Sequence, residues 1–179
     1  MLNNNLDVAS GVATTFEPAR EQDHEIYVID GDIEVRRSLH ALLSTAGFVS
    51  WQFASGADFL NNLAALKPAP ILLDMQMPDV DGLELMTRLS DRGIRWPVIM
   101  MTSQGNISDA VQSMKLGAIE YLEKPFEFES LEACLQVGLE RLAHLRKADE
   151  IRSRSHCLFD LLSQRETEVI MALMDGLSN

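Results

Sequence analysis

Four residues of this 179-residue chain stand where short apolar runs give way to polar loops. They are Asp30 after "EIYVI", Asp74 after "APILL", Thr102 after "WPVIMM" and Lys124 just beyond "AIEYL". A carboxylate at the end of a buried run is costly unless it is paired, so two of them call for partners. An aspartate can attack phosphorus and carry the group as an acyl phosphate, and such transfer is mainly a matter of placing and neutralising charge. Magnesium takes oxygen ligands in an octahedron and keeps several waters. Asp30, Asp74 and the backbone carbonyl of Gln76 are its candidate ligands here. Lys124 offers a point charge and Thr102 a hydroxyl, while Pro125 biases the lysine toward extended backbone. Gln76 and Gln104 each lie two residues beyond a member of the set, placed to screen an acyl phosphate from water.

For these side chains to meet, distant parts of the chain must reach one edge of a common scaffold. Short apolar runs predict strands at 25–29, 48–53, 69–73, 96–101 and 118–122. Between them come helix-period segments: Val35, Leu39, Leu42 and Ala46; Phe59, Leu60 and Leu63; Leu83, Met86 and Leu89; Ile107, Ala110, Val111 and Met114. A long helix is predicted from near Glu127. Alternating strands and helices specify an α/β fold with a five-stranded parallel sheet covered on both faces. In open sheets of this kind the working site lies outside the carboxyl ends of the strands, where the four residues fall. Met75, Met77, Met100 and Met101 read as core filler. His24, His40, His144 and His156 show no ligand spacing.

The Asp30 corner, "LLDMQMPDVDGLEL", "MTS" at 101–103 and "GAIEYLEKPF" at 117–126 together resemble the receiver domain of two-component response regulators, over about residues 25–145. The resemblance implies a doubly wound, flavodoxin-like sheet in the order 2-1-3-4-5. It implies that Asp74 is phosphorylated by a histidine kinase, that Thr102 and Lys124 contact the phosphoryl group, and that Tyr121 moves with Thr102 when the domain switches. Such a domain assists its own phosphorylation and dephosphorylation but is not a turnover enzyme. The sequence departs from the family at one place. "IDGD" puts Gly31 where a second adjacent acidic residue serves the cation, which predicts weakened magnesium binding with phosphorylation retained. Asp32 either leans into the pocket or caps the following helix. The first alternative is a pseudo-receiver acting without phosphorylation. A remoter one takes "VIDGDIEV" as the D-x-D motif of haloacid-dehalogenase-type phosphatases with Asp30 as nucleophile, although Glu34 stands where Thr or Val is usual.

Composition bounds the rest. Hydrophobic residues make up 46% of the chain, enough for one sizeable core with a small appendage. A net charge of −12 repels phosphate backbones, which argues against general nucleic-acid affinity. The longest apolar run, "VIMALM", is far too short to span a membrane. No signal peptide is evident, and Cys134 and Cys157 lack metal-type spacing, so a cytoplasmic protein with reduced thiols is expected. Residues 1–23 read as a flexible polar lead and 24–137 as the receiver. Residues 138–160 read as a linker helix that, like the fourth and fifth units, offers a homodimer surface. Residues 161–179 carry an S-x-x-E capping box at Ser163 and Glu166 and a stop at Gly176. That stretch resembles the opening of a LuxR-type helix-turn-helix domain, as attached to receivers of the FixJ/NarL class. It stops before the recognition helix, so DNA reading is expected only of a longer form.

Overall fold

The computed structural model describes residues 25–105 and 107–160, with side chains to 153. The lead at 1–23 and the helix-turn-helix opening at 161–179 lie outside the described residues. The chain alternates β1 (Glu25–Ile29), α1 (Ile33–Thr45), β2 (Val49–Phe53), α2 (Gly56–Asn62), β3 (Ile71–Asp74), α3 (Gly82–Asp91), β4 (Val98–Thr102), α4 (Ile107–Lys115), β5 (Glu120–Glu123) and α5 (Phe128–Asp160). A single 3-10 turn at Leu63–Ala65 closes α2. The strands form one sheet in the order β2-β1-β3-β4-β5, every neighbouring pair parallel. This is the flavodoxin-like order expected from the resemblance.

Strand alternation sorts the core into two layers. Tyr27, Ile29, Ile71, Leu73 and Met100 face one way and pack with Phe53, Phe59, Leu85 and Leu89. Ile26, Val28, Leu72, Ile99 and Met101 face the other way and pack with Leu39, Leu43, Leu131 and Leu135. Every residue of β3 and β4 is buried, as central strands with helices on both faces must be. The four methionines of the strand ends, Met75, Met77, Met100 and Met101, are all core.

Four strands start later than their apolar runs, β2 by one residue and β3, β4 and β5 by two. Pro70 and Pro97 have no N–H to give a ladder, yet their carbonyls accept from Tyr27 and Ile71 at 3.0 and 2.8 Å. Each proline therefore sits at the threshold of its strand rather than in it. As a result β3 and β4 extend one residue further than the runs and include Asp74 and Thr102 themselves. β5 likewise begins at Glu120, after Ala118 and Ile119, and the Lys124–Pro125 peptide is cis.

The predicted boundary at 137/138 corresponds to no break in the chain. α5 is one continuous helix across it. Leu142 remains buried at 2% exposure, and the Arg146 guanidinium donates to the Pro68 carbonyl at 3.2 Å. Gly138 lets the helix approach closely, its missing Cβ position lying 3.4 Å from Pro70. The first turns of the predicted linker therefore belong to the packed domain, because the apolar seam of α5 continues without interruption past residue 138.

Candidate functional site

The carboxyl ends of β1, β3 and β4 and the residue after β5 converge on one pocket. Lys124 is its centre. Its Nζ donates to Asp30 Oδ2 at 2.6 Å and to Asp74 Oδ1 at 2.8 Å. Asp30 is 1% exposed and Asp74 6%, so each acid depends on this amine for charge compensation. The backbone fixes all three. The Asp30 N–H donates to the Phe53 carbonyl at 3.2 Å, that of Met75 to Met101 at 2.8 Å, and that of Lys124 to Thr102 at 2.7 Å.

Burial holds the Asp74 carboxyl above its usual range. The Lys124 hydrogen bond and charge pull it back down, the Asp30 charge pushes it up, and the Gln76 backbone N–H lowers it. Burial also pulls the Lys124 amine down, but its bonds to Asp30 and Asp74 and their charges outweigh this and leave it above the ordinary lysine value. The pocket thus keeps a protonated amine opposite an acid whose negative charge is under strain.

Asp32 takes the second of the two roles open to it. It is the N-cap of α1, its carboxylate accepting from the Glu34 N–H at 2.8 Å, while its own N–H donates to Asp30 Oδ1 at 2.8 Å. Both Asp30 oxygens are therefore engaged. Thr102 is wholly buried, and its hydroxyl closes a local loop, donating to the Gln104 carbonyl at 3.1 Å and accepting from the Gln104 N–H at 3.2 Å. It stands one residue beyond Met101, the ladder partner of Asp74. Tyr121, paired with Met100 on β5, has a buried hydroxyl with no hydrogen-bond partner among the described residues. Gln76 and Gln104 are exposed at the rim.

Three contributors escape a reading of the sequence. Arg36 reaches back from α1 to donate to the Asp30 carbonyl at 2.7 Å. Gly82 opens α3 so close to the pocket floor that a Cβ there would lie 2.7 Å from the Asp74 carbonyl oxygen. A glycine just inside an Asp81 cap, in "VDGLEL", is the signal that marks it. Asp79 turns the loop between them at φ 73°, a left-handed conformation that Asp tolerates better than most residues.

The donor set for a cation is all hard oxygen: the carboxylates of Asp30 and Asp74 and the Gln76 carbonyl. This chemistry suits magnesium. It is also sparse, since no group of three or more acidic, histidine or cysteine side chains able to hold a metal occurs among the described residues. Gly31, next to Asp30, offers no side-chain oxygen to this set. Its Cβ position lies 3.3 Å from Pro78 Cδ, and its backbone is outside the left-handed region, so a side chain is crowded there but not forbidden.

Comparison with known proteins agrees with this geometry. The family described as the response regulator receiver domain matches residues 26–136. The transcriptional regulatory protein FixJ of Azorhizobium caulinodans is 40% identical over 154 residues, spanning 86% of this chain and 73% of that protein. FixJ of Bradyrhizobium diazoefficiens is 37% identical over 154 residues, with 86% and 75% covered. Among solved structures, the response regulator StyR superposes with a TM-score of 0.77 at 35% identity, covering 85% of this chain and 77% of that one. Full-length FixJ from B. japonicum gives 0.65 at 35% identity, covering 86% and 75%. Receiver domains bind magnesium at an acidic site of this kind and interact with histidine kinases. Sequence match and fold thus agree over most of a chain built on a 2-1-3-4-5 parallel sheet, and the chain belongs to the response regulator family, in its FixJ/NarL class.

Proposed function

We propose that Asp74 of this chain accepts a phosphoryl group from a histidine kinase and that the charge so introduced switches the domain. The observation that carries this reading is the Lys124 amine held at 2.8 Å from Asp74 Oδ1 and 2.6 Å from Asp30 Oδ2. A carboxylate oxygen of Asp74 attacks phosphorus and the bond to the kinase histidine breaks. Lys124 stays on the product oxygens as fixed positive charge. Asp30, Asp74 and the Gln76 carbonyl would hold magnesium, which would supply positive charge for the transferred oxygens; with glycine rather than an acid at 31 its binding would be weaker. Arg36 and the Asp32 N–H keep Asp30 in place, and Gln76 and Gln104 at the rim limit access of water to the acyl phosphate.

Thr102 then leaves Gln104 for the phosphoryl group, and Tyr121 moves with it, a change favoured by a hydroxyl that has no partner to lose. The switch acts on the fourth and fifth units, where Ile107, Val111 and Met114 expose 85, 46 and 49% of their surface along one side of α4. That stripe and the far part of α5 are the homodimer surfaces of this reading, and control of transcription is its output in a cytoplasmic protein carrying a complete DNA-binding domain. No helix among the described residues is long and apolar enough to cross a membrane.

The decisive experiment is intact-mass measurement after incubation with acetyl phosphate and magnesium. The chain gains one phosphoryl group and Asp74→Asn gains none. No gain in the unaltered chain overturns the proposal in favour of a phosphorylation-independent module, the reading that Gly31 favours. Steady turnover of a small phosphate ester would favour instead a phosphatase centred on Asp30, a reading in which Glu34 stands where Thr or Val is usual.

A further inference from the structure

The two edges of the sheet differ. β5 carries Glu120 and Glu123, the charged residues that normally keep edge strands apart. β2, "VSWQF", carries no charge and no proline, and among the described residues it pairs with β1 alone. Val49 and Trp51 expose 53 and 52% of their surface. The hydrogen bonding of β2 fixes which groups look outward. Phe53 accepts from Asp30 on β1, and a strand residue aims its N–H and C=O to the same side, alternating along the chain. Val49, Trp51 and Phe53 therefore face β1, and the backbone groups of Ser50 and Gln52 face away from the sheet.

We propose that two copies of this chain join along β2, antiparallel about a two-fold axis at Trp51, to make one continuous sheet without phosphorylation. That axis pairs Ser50 with Gln52 of the partner subunit and closes both outward pairs of N–H and C=O groups. Trp51 meets Trp51 of the partner subunit in a non-hydrogen-bonded pair, where cross-strand side chains come closest, and Val49 stands opposite Phe53 of the partner subunit. A two-fold contact of this type uses one patch on both copies, and an open strand edge is complementary to itself. Charge also favours a second copy. In a chain of net charge −12, uncharged β2 is where two copies meet with least repulsion, so salt strengthens the association.

The test uses the 179-residue chain carrying Asp74→Asn, so that phosphorylation plays no part. Sedimentation equilibrium is expected to show a reversible dimer at micromolar concentration. Trp51→Lys, which puts a charge at the two-fold axis, and Gln52→Pro, which removes an outward N–H, each weaken it at least about tenfold while circular dichroism stays unchanged. With Cys134 and Cys157 replaced by serine, Trp51→Cys forms an intersubunit disulfide, because its pair separation of about 4.5 Å lies in the disulfide range. Val49→Cys, displaced along the strand from its own copy, does not. A chain monomeric at all concentrations, or one whose association ignores both Trp51→Lys and Gln52→Pro, overturns the proposal. So does association that appears only when residues 1–23 are removed, which would assign the edge to the chain's own lead.

Discussion

Replacing Lys124 with methionine keeps the length of the side chain and removes the one cation shared by Asp30 and Asp74. Breaking a buried pair from one side costs about 3–5 kcal/mol, because a charge is left without compensation. Lys124 is 15% exposed and the acids 2 and 8% as side chains, and Asp74 already leans toward protonation through burial. Both facts soften the loss, so the low end applies, about 3 kcal/mol. With a urea slope of roughly 2 kcal/mol per molar, the unfolding midpoint falls by about 1.5 M. The pH dependence follows from the direction of the Asp74 shift. Losing the amine raises its pKa further, so the folded variant binds a proton more tightly than the unfolded chain. The variant's stability then falls as pH rises from the unfolded toward the folded pKa. The deficit against the unaltered protein is accordingly smaller near about pH 5 than near about pH 8. Placing Lys124→Met in an Asp74→Asn background removes part of the deficit, since one of the two acids no longer needs the amine while Asp30 still does. Urea unfolding of the four proteins at both pH values measures this. A Lys124→Met protein within about 0.5 kcal/mol of the unaltered one at neutral pH, or a deficit undiminished by Asp74→Asn, would refute the shared-cation account.

Asp74→Asn alone stabilises the fold. An acid whose folded pKa is raised destabilises its protein once ionised, so calorimetry at neutral pH shows a higher melting temperature for Asp74→Asn than for the unaltered chain. Gly31→Asp tightens magnesium binding about tenfold by restoring a charged oxygen ligand, whereas Gly31→Ala, which crowds Pro78 equally, does not. Titration calorimetry separates the two, and equal affinities would remove Gly31 as the cause of weak binding. Gly82→Ala forces a Cβ onto the Asp74 carbonyl and costs about 1–3 kcal/mol in thermal unfolding, with slower phosphoryl uptake by intact mass.

The sequence alone determined the α/β class, the alternation of elements and the strand ends at which Asp30, Asp74, Thr102 and Lys124 stand. These are local properties. Periods of two and near four appear along a single stretch of chain, and methionine at a strand end reads as filler without knowing its neighbours. Tertiary structure decided what periodicity cannot express. One amine serves two acids lying 94 and 50 residues away along the chain, a distance set by the register of successive ladders. Asp32 became a cap because its carboxylate was drawn to Glu34 while its N–H went to Asp30. The Thr102 hydroxyl turned to Gln104, and that of Tyr121 found no partner among the described residues. Strand thresholds moved to Pro70 and Pro97 because their carbonyls, but not their nitrogens, could join the sheet. α5 stayed on the domain through Leu142 because a helical seam stays buried for as long as the sheet beneath it continues. Whether a polar group is satisfied depends on what lies across space from it, and that is settled only when the strands have taken their order.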